Sequence, residues 1–354
     1  MSLIRYYFHN FLLTIIINGK VKVYRENTSC IFGEARNLYA LYFIKEIGDK
    51  MKNILIIGGS YFIGRVFTLL LTRRKEYSIH VLNRGNRPLR IQGVEEHICD
   101  RNDPERIKKV IPPLDWNVVV DFCADLPHEV NNMINNLPGK LNHYIYFSTC
   151  AVYKTSVDYP KYEDSPKLSG SIAGPFGDYG YKKYLTELEL IKNCESKNIN
   201  YTVLRPAFVY GPYNYAPRES YFFDLILANK EVPVPSNSIA LFQFVYVTDI
   251  ANLCISCLAN SIVYENAYNL SAEEMISYQK LINVFEEISG ERIRTREYSF
   301  KEIEQRNIPL PFPLEQHELY SGSLISKTLN FRYTPFAKGM KDTFEFYKKH
   351  FFKK

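Results

Sequence analysis

The sequence lacks any apolar run long enough to cross a membrane as a helix. Such a helix needs roughly 20 consecutive apolar residues, and the run at residues 11–17 is far shorter. This run also lacks the small-residue cleavage site of a signal peptide. The sequence therefore predicts neither a membrane span nor a signal peptide, and we expect a cytoplasmic location.

Paired cysteines and clustered metal ligands are also missing. The chain has seven cysteines, an odd number, and most of them are scattered. This usage is typical of reduced, buried thiols. Cys254 and Cys257 form a C-x-x-C, but it lies in the apolar helical run at residues 250–258 without a second pair, which favours core packing over zinc or redox chemistry. No group of His, Cys and carboxylates has metal-ligand spacing, so we predict no metal site.

A large excess of one charge is absent as well. The net charge is +6 over 354 residues, of which 46 % are hydrophobic. This composition supports one large or two modest cores. The mild basic excess suits an anionic substrate, but it is too diffuse to argue for a nucleic-acid partner.

The first 50 residues precede what looks like a second natural start. Residues 13–17, Asn18-Gly19 and residues 21–24 have the pattern of a two-stranded hairpin around an Asn-Gly turn. Met51 stands directly before the first apolar core strand. We therefore interpret residues 1–50 as an N-terminal extension without an assigned function, and residues 51–354 as the main domain.

A strand, a glycine-rich turn and a helical pattern open the main domain. In the segment 53–57, Asn53 is followed by four apolar residues in a row, as in a strand buried in a parallel sheet. The turn that follows is Gly58-Gly59-Ser60-Tyr61-Phe62-Ile63-Gly64. This order favours dinucleotide binding over an ordinary strand-to-helix turn. The candidate cofactor contacts in the turn are Gly58, Ser60, Tyr61, Phe62 and Ile63, with Tyr61 at the place of the usual middle glycine.

The end of the next predicted strand bears on the choice of cofactor. Residues 78–82 lead into Asn83-Arg84-Gly85. In NAD-binding folds an acidic residue roughly 20 residues after the glycine-rich turn binds the ribose, and Asn83 stands near that position. Asn83 is not acidic, and Arg84 is suited to a 2′-phosphate, so the sequence favours NADP over NAD. Asp100 follows a third short strand and is expected near the adenine.

The candidates for chemistry lie further along the chain. A predicted strand at residues 144–147 delivers Thr149 to the carboxyl edge of the sheet, where ligands bind in doubly wound folds. Tyr179 and Lys183 share a helix face one turn apart. A neighbouring ammonium lowers the pKa of a phenol from about 10 toward neutrality, so Tyr179 is a candidate acid/base. Taken alone, Thr149 could simply close the strand. Taken alone, Tyr179 and Lys183 could lie on a solvated helix face.

Five motifs in this order give the chain a resemblance to the extended short-chain dehydrogenase/reductase family of nucleotide-sugar epimerases, dehydratases and reductases. The motifs are residues 58–64, residues 148–153, Tyr179-Gly180-x-x-Lys183-x-x-x-Glu187, residues 204–212 and residues 243–249. The resemblance covers about residue 52 to the C-terminus. It implies an α/β fold, a Rossmann-type doubly wound parallel sheet with a smaller C-terminal substrate-binding lobe, divided mainly into residues 51–205 and 206–354.

The resemblance also implies roles and partners. Tyr179 would be the acid/base, Lys183 would lower its pKa and hold the nicotinamide ribose, and Thr149 would bind the reacting oxygen. The implied partners are a nicotinamide cofactor, a nucleotide-sugar substrate and a second copy of the chain, in a homodimer built partly from the Tyr179 helix.

Departures from the family pattern narrow the expected activity. Cys150-Ala151 stand where the 4,6-dehydratases carry Asp-Glu, and neither residue transfers protons as a carboxyl pair does. Phe208 replaces an Asn that often touches the sugar nucleotide, which argues against a standard epimerase. Arg218 is suited to a substrate phosphate or to a surface salt bridge. The glycine loop and Asn83-Arg84-Gly85 resemble an atypical branch of the family that includes chloroplast RNA-binding members.

The leading hypothesis is NAD(P)H-dependent reduction of a nucleotide-activated keto-sugar, with Tyr179 as the proton donor. A dTDP-4-keto-6-deoxyhexose of the kind used in surface polysaccharide is one such substrate. Two alternatives remain open. One is a nucleotide-sugar 4-epimerase with tightly bound NAD, and the other is an RNA-binding protein on the same fold.

Overall fold

The computed structural model describes residues 51–172 and 177–352, together with three strands before residue 51. The chain divides into two compact units, Met1–Lys50 and Met51–Lys354. In the first unit, β1 (Arg5–His9), β2 (Leu12–Ile17) and β3 (Lys20–Arg25) form an antiparallel sheet in that order. The pairing of β2 with β3 confirms the two predicted hairpin strands. Asn18-Gly19 lies outside the described residues.

A parallel sheet forms the centre of the second unit. In the described residues its strands are β4 (Lys52–Ile57), β5 (Tyr77–Asn83), β6 (Val94–Ile98), β7 (Leu114–Asp121), β8 (Gly139–Leu141), β9 (His143–Phe147), β10 (Asn200–Pro206) and β14 (Asn266–Leu270). Their order across the sheet is β14-β10-β9-β7-β4-β5-β6, with β8 paired to β7. The chain winds outward in both directions from β4 and β7, so the predicted Rossmann-type α/β fold is confirmed.

Helices cover both faces of this sheet. The helices of the described residues, some of which belong to the C-terminal part, are α1 (Phe62–Leu71), α2 (Pro104–Val110), α3 (Pro127–Asn136), α4 (Gly177–Lys197), α5 (Glu219–Leu227), α6 (Val247–Cys257), α7 (Tyr278–Ser289), α8 (Phe300–Gln305), α9 (Ser323–Leu329) and α10 (Phe336–His350). Along β4, Ile54 and Ile56 join one hydrophobic cluster, while Leu55 and Ile57 join the other. This alternation explains the continuously apolar run, because both faces of the strand are buried. No helix in the described residues is long and apolar enough to cross a membrane.

The C-terminal part adds two small parallel sheets beside the central one. One pairs β11 (Phe208–Tyr210) with β13 (Phe244–Tyr246), and the other pairs β12 (Val232–Pro235) with β15 (Thr295–Tyr298). Cys254 and Cys257 lie buried in α6 as free thiols within the larger hydrophobic cluster. Their interpretation as core residues is confirmed. The division of this unit at residue 205 stays a prediction.

A buried ion pair joins α4 to β10. Arg205 Nε donates to Glu187 Oε1 at 3.0 Å, and Nη2 donates to Oε2 at 2.6 Å. Arg205 Nη1 also donates to the hydroxyl of Tyr153 at 2.9 Å. Three of the motifs recognised in the sequence are therefore held together by one guanidinium group.

We expect Arg205→Met to lower the free energy of unfolding by about 3–5 kcal/mol, because it leaves the buried Glu187 carboxylate without its partner. The double variant Arg205→Met/Glu187→Met should recover most of this loss, since no charge is then left buried. Urea denaturation followed by circular dichroism measures both effects. The matched control is Lys108→Met, which breaks an exposed ion pair with Glu105 and should leave stability unchanged. A loss for Arg205→Met no larger than that of the control would contradict the expected role of the pair.

Candidate active site

The loop between β4 and α1 depends on glycine at two positions. Gly58 has a φ of +88°, a conformation that side chains disfavour. A Cβ atom on Gly64 would lie 2.3 Å from the carbonyl oxygen of Gly58, so α1 packs too closely on the loop for a side chain there. Tyr61, at the N-cap of α1, makes no side-chain capping hydrogen bond. The first-turn amides therefore remain suited to an anion such as a pyrophosphate.

A cavity of about 370 Å³ opens at the carboxyl ends of β4, β5, β6 and β7. Six of the predicted cofactor residues line it: Gly58, Ser60, Tyr61, Asn83, Arg84 and Asp100. Lys183 does not line it and is only 3 % exposed. Phe62 and Ile63 do not line it either, because their side chains pack into the hydrophobic core beneath the loop. Their contribution to a ligand in this cavity would come from backbone amides.

The Asn83 side chain is used to hold the rim of the cavity together. Its Nδ2 donates to Ser60 Oγ at 3.0 Å and to Glu96 Oε1 at 2.5 Å, and its Oδ1 accepts from the Gly85 amide at 2.7 Å. The amide thereby ties β5 to the glycine loop and to β6. The sequence alone does not predict that Asn83 has this structural role, because its partner Glu96 belongs to another strand.

Three arginines and three carboxylates line the cavity: Arg84, Arg87, Arg101, Asp100, Asp125 and Glu129. Arg84 and Arg87 both line the cavity, and the Arg87 guanidinium carbon lies 4.6 Å from the centroid of the Tyr61 ring. The carboxylate of Asp100 accepts from the amide of Asn102 at 2.8 Å, which fixes its own loop. The two guanidinium groups are therefore well placed for a phosphate at this end.

A second buried ion pair forms the floor of the cavity. Arg101 Nη1 and Nη2 donate to Asp121 Oδ1 and Oδ2 at 2.8 and 2.6 Å. Burial alone would raise the pKa of Asp121, but the Arg101 guanidinium outweighs it and leaves that pKa below its usual value. Asp121 also accepts from the Tyr144 hydroxyl at 2.5 Å, so this carboxylate has a structural task.

The ammonium group of Lys183 is buried and bound to the sheet. Its Nζ donates to the carbonyl oxygens of Ala124 and Phe147 at 2.7 Å each, and it lies 3.7 Å from Asp125 Oδ1. Burial lowers the pKa of Lys183, while Asp125 acts in the opposite direction. Because these carbonyls follow β7 and end β9, the ammonium fixes α4 at the carboxyl edge of the sheet.

Tyr179 lies one turn earlier on α4, but the predicted lowering of its pKa by Lys183 is wrong. Loss of solvation, Asp125 and Tyr215 raise the pKa of Tyr179 to about 12, against smaller effects of Arg218 and Thr149. The Lys183 ammonium, bound to two carbonyl oxygens, is not the charge that sets this value. At neutral pH the phenol therefore carries its proton.

The other predicted residues meet around this phenol. Thr149 Oγ1 accepts from the Ala151 amide at 3.1 Å and caps a short 3-10 helix, Cys150–Val152. Arg218 lies near enough to act on the pKa of Tyr179, and its guanidinium carbon is 5.8 Å from the centroid of the Phe208 ring. The fold thus brings together the Thr149 hydroxyl, the Arg218 guanidinium and the Phe208 ring.

Two further details shape this region. A Cβ atom on Gly180 would lie 2.1 Å from the carbonyl oxygen of Ala151, so the helix that carries Tyr179 packs directly on the short 3-10 helix. Cys150 is buried, its Sγ donates to the Arg205 carbonyl at 3.0 Å, and burial holds its pKa well above the usual value. The thiol is therefore not a group that exchanges protons with a substrate.

Sequence reasoning missed Asp125, Tyr215 and Arg87. Asp125 follows β7 and lines the cavity, and Tyr215 packs edge-on against Tyr61 at 6.1 Å between ring centroids. These residues come from loops, so no local periodicity marks them. For Asp125, the signal available was a carboxylate four residues after the apolar strand that ends in Asp121.

The fold and the ordered motifs define the extended short-chain dehydrogenase/reductase class. The sequence matches the NAD dependent epimerase/dehydratase family over residues 54–271, and the chain belongs to this family. It is 28 % identical over 253 residues to the chloroplast stem-loop binding protein of 41 kDa b from Arabidopsis thaliana. That match covers 68 % of this chain and 64 % of the relative, so the chain spans less than two thirds of the relative's length.

Solved structures show the same fold at low sequence identity. A UDP-glucose 4-epimerase from Thermotoga maritima, solved with UDP-glucose, aligns with a TM-score of 0.67 and 18 % identity, over 84 % of this chain and 99 % of that one. A dTDP-glucose 4,6-dehydratase from Bacillus anthracis, solved with NAD, aligns with a TM-score of 0.69 and 16 % identity, over 85 % and 97 %. The family resemblance inferred from the motifs is confirmed.

We expect Asp125→Asn to lower the pKa of Tyr179 from its value of about 12, because it removes the negative charge that disfavours the phenolate. Carbon-13 NMR of the protein labelled at tyrosine Cζ measures this, with the Tyr179 signal assigned by its loss in Tyr179→Phe. Asp342→Asn, which removes an exposed carboxylate paired with Lys338 on α10, is the control and should not shift the signal. An unchanged or higher pKa in Asp125→Asn would contradict this electrostatic account.

Proposed function

We propose that this protein is a nicotinamide-dependent reductase of a nucleotide-activated keto-sugar, with Tyr179 as the proton donor and NADPH as the preferred cofactor. The observation that carries the proposal is the meeting of Tyr179 with Thr149, Arg218 and Phe208. They meet on the helix that Lys183 binds to the carboxyl edge of the sheet, next to Asp125 of the cavity. A reductase must deliver a proton to the carbonyl oxygen, whereas an epimerase must first remove one from a hydroxyl. A phenol that holds its proton at neutral pH is in the form that reduction requires.

The residues of the cavity fit a nicotinamide cofactor. The glycine loop allows close approach, and the free amides at the start of α1 suit the pyrophosphate. Arg84 and Arg87 suit a 2′-phosphate, with the Glu96 carboxylate beside Asn83 acting against a negative charge there. Lys183, at the carboxyl ends of β7 and β9, would hold the nicotinamide ribose. When bound, the cofactor supplies the hydride.

The side chains around Tyr179 would bind the substrate and transfer the proton. Thr149 and the Tyr179 hydroxyl would bind the carbonyl oxygen of the sugar. As the carbonyl carbon is reduced, the phenol passes its proton to this oxygen, and the product is an alcohol. The phenolate then regains a proton before the next turnover. Arg218 and Phe208 would bind the diphosphate and an apolar face of the substrate.

We expect Tyr179→Phe to slow NADPH consumption with dTDP-4-keto-6-deoxyglucose by about 10²–10⁴-fold, because the proton donor is lost. NADPH binding, measured by fluorescence titration, should be unchanged. Tyr181→Phe, two residues along the same helix, is the control and should keep its activity. Wild-type kcat/KM should be higher with NADPH than with NADH, since only NADPH carries the phosphate that Arg84 and Arg87 would bind.

The same experiment separates reduction from the epimerase alternative. Purified protein that retains NAD and interconverts sugar epimers without net consumption of NADPH would overturn the reductase proposal. Full activity of Tyr179→Phe would overturn the role of the phenol in either reaction. The homodimer and the cytoplasmic location stay predictions.

RNA binding is a second candidate function. It is favoured by the likeness to the Arabidopsis stem-loop binding protein and agrees with the net charge of +6. Binding through phosphates should weaken steeply with salt, and Tyr179→Phe should leave it intact. Filter binding of a labelled RNA stem-loop at low and high salt tests this. Binding no tighter than that to heparin, an unrelated polyanion, would remove the candidate.

A further inference from the structure

Three potential metal ligands lie together on the edge strands of the sheet. They are His80 on β5 and Glu95 and His97 on β6, with His80 paired to Glu95 in the parallel register. Because side chains alternate along a strand, all three project from the same face. Within residues 51–172 and 177–352, their ligand atoms form a group in which every atom lies within 4.8 Å of the others. No sequence motif signals this group, because His80 comes from a different strand.

The distances between these atoms suit a small cation. His80 Nδ1 lies 3.0 Å from His97 Nε2. The Glu95 carboxylate oxygens lie 3.5 Å from His80 Nδ1 and 3.7 Å from His97 Nε2. Zinc binds imidazole nitrogen and carboxylate oxygen at about 2.0–2.2 Å in tetrahedral sites, which separates neighbouring ligand atoms by roughly 3.3–3.5 Å. The group is therefore close to the size that one ion requires.

Each imidazole has a further hydrogen-bond partner outside the group. His80 Nε2 lies 3.2 Å from Ser78 Oγ, and His97 is hydrogen-bonded to the backbone of Val110. Contacts of this kind orient metal-binding histidines and fix their tautomers. With protons on the outer nitrogens, two lone pairs and a carboxylate face each other, and a cation stabilises that arrangement.

Burial and exposure also fit a metal site. Both histidines are buried, at 4 % and 7 % exposure. Glu95 is the exposed member, with 62 % of its side chain accessible, so an ion has a route from solvent.

We propose that His80, Glu95 and His97 form a binding site for a divalent transition-metal cation such as Zn²⁺, with solvent completing its coordination. The rival explanation is a chain of hydrogen bonds from Ser78 through His80 and His97 to the Val110 backbone, with no ion. The site is separate from the Tyr179 region and does not depend on the proposed reaction. Bound metal would link β5 to β6 and stabilise this edge of the sheet.

The test is a titration of the metal-free full-length chain with Zn²⁺ by calorimetry and with Co²⁺ by visible absorption. We expect one ion per chain, the d–d bands of tetrahedral Co²⁺, and a Tm raised by Zn²⁺. Glu95→Gln should weaken Zn²⁺ binding by roughly tenfold to a hundredfold or more, and His97→Asn should do the same. Glu105→Gln, which alters an exposed carboxylate on α2, should bind Zn²⁺ like the wild type.

Two results would overturn the proposal. If the wild-type chain binds no Zn²⁺, the hydrogen-bonded chain explains the cluster. If Glu95→Gln binds Zn²⁺ as tightly as the wild type and shows the same rise in Tm, the ion lies elsewhere. The Glu95 variant carries the test even if His97→Asn fails to fold, because the Glu95 side chain is largely exposed.

Discussion

The buried ammonium of Lys183 is the contact on which the arrangement of the site depends. Its charge is compensated by two carbonyl oxygens at the ends of neighbouring strands and by Asp125. A buried charge that loses its partners costs several kcal/mol, so α4 is strongly held at this edge of the sheet. Tyr179 is positioned one turn earlier by the same contact, and the Glu187–Arg205 pair holds the helix one turn later.

This view of Lys183 changes how the chemistry of Tyr179 is understood. The family resemblance suggested a lysine that lowers the pKa of the phenol, whereas here the lysine is bound to backbone and the pKa is raised. The nearby negative charge of Asp125 favours the protonated phenol. The lysine four residues after this tyrosine thus fixes where the phenol lies, while loss of solvation and the charges on the surrounding loops set its pKa.

Local sequence patterns predicted much of the fold but less of the site. The run at residues 144–147 marked β9 to within one residue of its observed start, because a strand buried on both faces must be apolar throughout. The use of Asn83 could not be predicted, since its partner Glu96 is set by the pairing of β5 with β6. Asp125 and Tyr215 were missed for a related reason, because loop residues act on Tyr179 only after the fold brings them together.

The central claim is that the cavity at the carboxyl edge and the Tyr179 region form one cofactor-dependent site. A crystal structure of the full-length chain with NADP⁺ tests this most directly. We predict the pyrophosphate at the start of α1, the 2′-phosphate on Arg84 and Arg87, and the nicotinamide ribose on Lys183 with its ring beside the Tyr179 hydroxyl. A nicotinamide ring directed away from Tyr179, or a cavity that stays empty at saturating NADP⁺ and NAD⁺, would contradict the account.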